Sequence, residues 1–194
     1  TQIVVPFMAL GYIVLALIVV FLNIDKVPDI FSLIITDAFT AQAGFGAAIG
    51  WGVKRGIYSN EAGQGTGPHA AAAAEVDHPA QQGLVQAFSV YVDTIFVCTA
   101  TALMILITQQ YNVVGELPAG QFIVQNVDAA TEVGSAAFTQ MALFSVFGGF
   151  GEAFVGIALF FFAFTTILAY YYIAETNIAY LNRYFKGTIP LVMV

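Results

Sequence analysis

Positive charge is scarce in this chain: five Lys and Arg in 194 residues, against twelve Asp and Glu, with 9% charged residues in all. The resulting formal charge of -7 is scattered over loops and helix ends, with no run that would steer a ligand, and nucleic acid is not an expected partner. A single cysteine, Cys98, excludes an internal disulfide framework and any multi-cysteine metal site. Set in an apolar segment, it reads as a small packing residue. His69 and His78 lack further His or Cys at metal-ligand spacing and read as solvated loop histidines.

What is abundant is apolar. Hydrophobic residues make up 59% of the chain and aromatics 14%, and the mean hydropathy of +0.84 describes a sequence whose preferred solvent is lipid. Four stretches are long enough, at about 1.5 Å rise per residue, to cross a hydrocarbon core of about 30 Å. They are 3–22, 30–53, 84–108 and 152–174. Both ends run apolar, so the expectation is an internal piece of a longer, all-α polytopic membrane protein.

Lys and Arg concentrate in cytoplasmic loops. Lys54 and Arg55 follow the second stretch, Arg183 and Lys186 follow the fourth, and 109–151 contains neither residue type. The expected topology puts 54–83 inside, 109–151 outside and the chain inside again after Tyr180, with Lys26 the one exception. Pro68 and the alanines after His69 predict a short helix in the inner loop, stopped at Asp77-His78-Pro79. In the outer loop, 135–146 has the composition of a re-entrant or surface helix.

Chemistry can sit in few places. Gly44-Phe45-Gly46 weakens a helix at membrane depth, where freed backbone groups need protein or a polar cavity around them. Transporters aim half-helix ends at a substrate through such breaks, whereas small residues also serve close helix packing; both readings stay open. Thr165 and Thr166 lie on a helix whose residues Gly156, Leu159, Ala163, Thr166 and Tyr170 recur at helical spacing. Hydroxyl oxygens suit a hard cation, and a threonine bonding back to its own helix is the alternative. Asp93, inside the third stretch, needs a partner or a role, while Asp37 falls toward the outer vestibule. Neither carries the glycine motif of an intramembrane protease. Gly63-Gln64-Gly65-Thr66-Gly67 lacks the strand and the Gly-Lys-Ser/Thr ending of a phosphate loop. Ser59-Asn60-Glu61 reads as capping and loop locking.

The block Arg55-Gly56-Ile57-Tyr58-Ser59-Asn60-Glu61-Ala62-Gly63-Gln64-Gly65-Thr66-Gly67-Pro68, then His78-Pro79, Gln82-Gly83-Leu84-Val85, Asp93-Thr94 and Val97-Cys98-Thr99, closely resembles the sodium:alanine/glycine symporter family. Phe162-Ala163-Phe164-Thr165-Thr166-Ile167-Leu168 with Tyr171-Tyr172 and Glu175 is similar too. The resemblance implies a five-plus-five inverted-repeat transporter of the amino acid-polyamine-organocation type, with core helices five to eight present here. It also implies a multi-pass protein of the plasma membrane that is not an enzyme.

Its implied activity is Na⁺-coupled symport of a small neutral amino acid, alanine or glycine, with H⁺ coupling left open. Gly44, Phe45, Gly46, Thr166 and Tyr170 would then meet the substrate, and Thr165 and Thr166 the Na⁺. Arg55, Ser59, Asn60, Glu61 and Asp93 would gate or brace. Tyr170 replaces a tryptophan common in relatives, which leaves alanine against glycine open. Other partners implied are the lipid bilayer and the missing N- and C-terminal parts. Another cation-coupled amino-acid transporter, or a channel or membrane scaffold, is the alternative. The polar block at 54–69 is expected as an inner hinge and lock, outside the midplane pocket.

Overall fold

Long apolar runs leave the backbone one favourable course in lipid, the helix that satisfies its own N–H and C=O groups. A computed structural model describes residues 4–39, 45–61, 63–114, 122–128 and 135–184. In order they form α1 (Val4–Leu22), a 3₁₀ turn (Ile24–Lys26), α2 (Val27–Ala38), α3 (Phe45–Asn60), α4 (Thr66–Ala71) and α5 (Pro79–Tyr91). A π-helical segment (Val92–Cys98) leads into α6 (Thr99–Ile107); β1 (Asn112–Val114), β2 (Phe122–Gln125), α7 (Ser135–Phe147) and α8 (Gly149–Tyr184) complete the described chain.

Among the described residues, three helical stretches are long and apolar enough to cross a membrane: Val4–Leu22, Pro79–Ile107 and Gly149–Arg183. Within the second expected stretch, 30–53, the described residues form α2, of 12 residues ending at Ala38, and α3, of 16 residues from Phe45. α2 stops because its last turn tightens: the Phe39 N–H bonds the carbonyls of Asp37 and Thr36, closing the helix end. The fourth stretch runs ten residues past the expected end at 174. Its polar tail stays helical because Thr176 Oγ1 and Asn177 Nδ2 bond back to the carbonyls of Tyr172 and Ile173 at 2.7 Å each.

The chain is mostly helical, but the all-α expectation needs a correction in the outer loop. β1 and β2 pair antiparallel, Asn112 opposite Gln125 and Val113 opposite Val124. Val113 and Val114 in β1, with Phe122, Ile123 and Val124 in β2, favour that pairing. Asn112 locks its end: Oδ1 accepts from the N–H groups of Asn126 and Val127 at 2.9 and 2.8 Å, and Nδ2 donates to the Val127 carbonyl at 3.0 Å. The short helix expected from Pro68 forms as α4, starting two residues earlier at Thr66.

The core gathers Ala16 and Val19 of α1, Ala100 and Met104 of α6, Ala142 and Leu143 of α7, and Val155 of α8. Because Ala142 and Leu143 are wholly buried, α7 is inserted among α1, α6 and α8 rather than laid on a surface. Most other apolar side chains face outward, including Phe7, Leu10, Phe21, Phe160 and Ile167. In water that exposure would be costly; in lipid it costs nothing.

α7 turns into α8 at Gly148, whose φ of +60° suits glycine. Just beyond, a Cβ on Gly151 would stand 2.5 Å from the Leu143 carbonyl oxygen, a backbone atom that cannot step aside. A Cβ on Gly11 would meet only the edge of the Phe154 ring, at 3.2 Å. Gly151→Ala is therefore expected to destabilise the full-length protein in detergent by about 1–3 kcal/mol, the usual cost of overpacking. Gly11→Ala is expected to cost less. Equal melting temperatures for Gly151→Ala and the unaltered protein would refute the tight α7–α8 approach.

Candidate functional site

The π segment is where two polar parts of the sequence meet. In a π-helix each N–H reaches the carbonyl five residues back, so positions five apart, which diverge on an α-helix, come onto one face. Asp93 and Cys98 are such a pair, as are Thr94 and Thr99, whose hydroxyl reaches the Thr94 carbonyl at 3.4 Å. α3 packs against this segment with its last turn. Ser59 Oγ donates to Asp93 Oδ2 at 2.6 Å and lies 3.4 Å from Cys98 Sγ. The Cys98 thiol is 4.0 Å from the same carboxylate oxygen. One residue on, Asn60 Nδ2 donates to Thr94 Oγ1 at 3.1 Å.

Asp93 is the fifteenth residue of the twenty-nine in Pro79–Ile107, its midpoint. Ser59 and Asn60 therefore tie α3 to the middle of a membrane-length helix, which is a different task from capping. Glu61 keeps the loop-locking role. Its φ of 56° ends α3 in the left-handed region, and its carboxylate accepts from Thr66 Oγ1 at 2.7 Å across the loop. Gly63 and Gly65, at φ of 84° and 86°, supply the turns that bring Thr66 back. Arg55 sits on α3 one turn before Ser59 and is exposed. A cavity of about 700 Å³ opens beside the cluster, lined by Asn60, Glu61, Gly65, Gln82, Gln86 and Val90 among others.

The α8 residues form a separate group. Thr165 Oγ1 and Thr166 Oγ1 both donate to the Phe162 carbonyl, at 3.0 and 2.8 Å, the back-bonded geometry. Such a hydroxyl has spent its hydrogen but keeps acceptor capacity on its oxygen. Thr166 and Tyr170, one turn apart, are both exposed within the described chain, Tyr170 at 47%. Of the glycine-break residues, Gly44 lies outside the described residues. Phe45 and Gly46 begin α3, and their side-chain environment is likewise outside what is described.

Three features escaped the sequence reading. Cys98, taken as packing, borders Ser59 and Asp93; the five-residue spacing of polar groups along 93–99 was the available signal. His69, taken as a solvated loop residue, is half-buried, and its Nδ1 is 3.1 Å from Asn177 Nδ2 on α8. The third feature is a cavity of about 240 Å³ among α1, α6, α7, α8 and the π segment, where the Tyr12 hydroxyl meets Thr101 Oγ1 at 2.7 Å with Thr139 on the lining. Tyr12 in the first stretch had offered only an amphipathic ring in an apolar run.

The sodium:alanine symporter family matches residues 1–194. A sodium/proton-dependent alanine carrier protein of Bacillus sp. (strain PS3) is 61% identical over 186 residues, covering 94% of this chain and 41% of that protein. YrbD of Bacillus subtilis (strain 168), named for the same kind of carrier, is 62% identical over 94% of this chain and 38% of its own length. The sodium/alanine symporter AgcS of Methanococcus maripaludis is 41% identical over 93% of this chain and 38% of its own. The chain thus spans about two-fifths of the length of these relatives. With the family matched from its first residue to its last, this membrane chain belongs to the sodium:alanine symporter family.

Proposed function

We propose that the chain is the middle part of a multi-pass plasma-membrane transporter that carries a small neutral amino acid, alanine or glycine, together with Na⁺ by alternating access. The family match over the whole chain is the observation that carries this reading; the similar proteins are named for sodium- or sodium/proton-dependent alanine transport. The end of α2 at Ala38 and the start of α3 at Phe45 fit a discontinuous sixth core helix, the kind of element on which such folds build a substrate site. In the five-plus-five inverted-repeat arrangement, α1 is the fifth core helix, Pro79–Ile107 the seventh and α8 the eighth. The remaining site groups come from parts of the protein beyond this chain.

Within this reading Phe45, at the first turn of α3, closes over the amino acid, while Gly44 and Gly46 let backbone groups approach it. Thr165 and Thr166 offer their hydroxyl oxygens to Na⁺, and Thr166 with Tyr170 borders the substrate. The loop from Glu61 to His78 faces the cytoplasm, and the hairpin of β1 and β2 faces outside. The cation of Lys54, stacked 4.7 Å from the Trp51 ring centre, marks an interfacial level on α3.

Uptake of labelled alanine by the full-length protein in proteoliposomes is expected to require an inward Na⁺ gradient; Na⁺-independent flux would instead support a channel. Replacing Thr165 and Thr166 together by valine keeps their shape and removes both oxygens. It is expected to raise the Na⁺ concentration for half-maximal uptake about tenfold, the equivalent of about 1.4 kcal/mol, and unchanged Na⁺ activation would exclude these ligands. Phe45→Ala is expected to weaken alanine binding about tenfold in an equilibrium assay, and normal affinity would remove Phe45 from the site. Single cysteines at Gln81 and Asn126, in a Cys98→Ser background, are expected to react with an impermeant reagent from opposite faces of the membrane.

A further inference from the structure

We propose that the π segment Val92–Cys98 is a two-state joint of the transport cycle: as a π-helix it lets Pro79–Ile107 be tied to α3 and α1 at once, and on turning into α-helix it frees α3. The inference rests on the transport reading above and goes beyond it, since it assigns the release of α3 to a change of helix type in one segment.

Three observations converge on this segment. A π bond spans one residue more than an α bond, so a π turn stores a surplus residue in the helix. Conversion to α-helix would turn the parts on its two sides against each other by one residue, about 100° and about 1.5 Å. The chain itself does not impose the π form: no glycine or proline lies between Val90 and Ile107, and α-helix is sterically open throughout. Second, ties to other helices lie on both sides of the segment's middle. At its start Asp93 and Thr94 meet Ser59 and Asn60 of α3 at 2.6 and 3.1 Å; just past its end Thr101 meets Tyr12 of α1 at 2.7 Å. A turn of about 100° between the two sets leaves room for only one of them. Third, the two sides are held unequally. α6 buries Ala100, Leu103, Met104 and Ile107, whereas among the described residues α5 and the π segment bury no side chain. The α5 side therefore turns, and the tie that parts is the one to α3.

In the π form the Thr99 hydroxyl reaches the Thr94 carbonyl, five residues back, at 3.4 Å, and the Thr101 hydroxyl reaches the Val97 carbonyl at 2.8 Å. The first contact belongs to π spacing alone; the second, four residues back, suits either form. Conversion exchanges backbone bonds five residues long for bonds four residues long within the same segment. Beyond that it parts only the hydrogen bonds to α3, and none of Ser59, Asn60, Asp93 and Thr94 is buried. α3 runs from Phe45, which closes over the amino acid in the reading above, to Asn60, where the cytoplasmic loop begins. Parting its inner end from the π segment loosens the element that carries the substrate site.

The test uses the full-length transporter in proteoliposomes, with labelled alanine and a Na⁺ gradient. Ser59→Cys sets a second thiol where Ser59 Oγ stands 3.4 Å from Cys98 Sγ. Copper phenanthroline, as oxidant, takes two electrons while two protons leave to water, and joins the thiols as a disulfide. The bridged protein is expected to lose at least about tenfold in uptake rate and to regain it on reduction, with no such loss in a Ser59→Cys, Cys98→Ser control. Failure of the bridge to form, or full uptake with it formed, overturns the proposal. Deletion of Ile95, an exposed residue, takes out the surplus residue. Residues 93 and 98 then stand four apart on one face of a regular α-helix, so the ties and the bridge to position 59 are kept while the second state is lost. Uptake is expected to fall at least about tenfold with the bridge still forming. Uptake at the unaltered rate, or a folded deletion variant that no longer bridges, overturns the proposal, and the bridge in the undeleted chain decides alone if the deletion variant fails to fold. Absence of Na⁺-driven alanine uptake in the unaltered protein would sink the transport reading instead, a result separable from both.

Discussion

In a low-dielectric surrounding every polar group must find a partner inside the protein, and here that constraint sorts the hydroxyls and amides into two classes. Most bond back to their own helix: Asn23 to the Val19 carbonyl, Thr108 to Met104, Ser145 to Ala142, Thr165 and Thr166 to Phe162, and Thr176 to Tyr172. These groups add little to the assembly of the bundle. A few reach another element: Tyr12 to Thr101, Ser59 to Asp93, Asn60 to Thr94, and Asn177 to His69 as well as to its own helix. The cross-helix bonds are therefore the polar ties of the fold, laid over a core of small and aliphatic residues that sets only the spacing. The Ser59 and Asn60 bonds among them end on the π segment.

Much of this was legible in the chain. The runs at 3–22, 84–108 and 152–174 each correspond to a membrane-length helix because in lipid a helix satisfies its own backbone groups, and Pro6, Gly11 and Gly156 do not interrupt it. Their ends were less legible. α8 continues through Glu175 and Asn177 because polarity ends a membrane crossing without ending a helix. The hairpin at Asn112 was obscured by the habit of reading a charge-poor outer loop as irregular or helical. A strand of three residues carries almost no periodic signal, and the Asn112 side chain that fixes the pairing acts across more than ten residues.

The candidate site divides in the same way. Thr165, Thr166 and Tyr170 were visible from their spacing along one helix, a local property. That Ser59 and Asp93 meet is a property of two helices 34 residues apart, and only the wider turn of the π segment brings Cys98 and Thr94 into the same neighbourhood. Sequence reading gave Cys98 to packing because its neighbours are apolar, a local property that carries no trace of Ser59.

α8 has one further consequence. Its 36 residues extend about 54 Å, well beyond a hydrocarbon core, as an unbroken rod. Thr166 and Asn177 are about 16 Å apart along its axis at the standard rise, and Asn177 is tied to His69 on α4. A swing of about 10° pivoting near Thr166 would carry Asn177 sideways by about 3 Å over that lever length, as much as the Asn177–His69 separation itself. The loop helix α4 must then either travel with the rod or let go of it. Rearrangement at the threonines is in this way geared to the opposite end of the helix, with no intermediate residue needing to change its conformation.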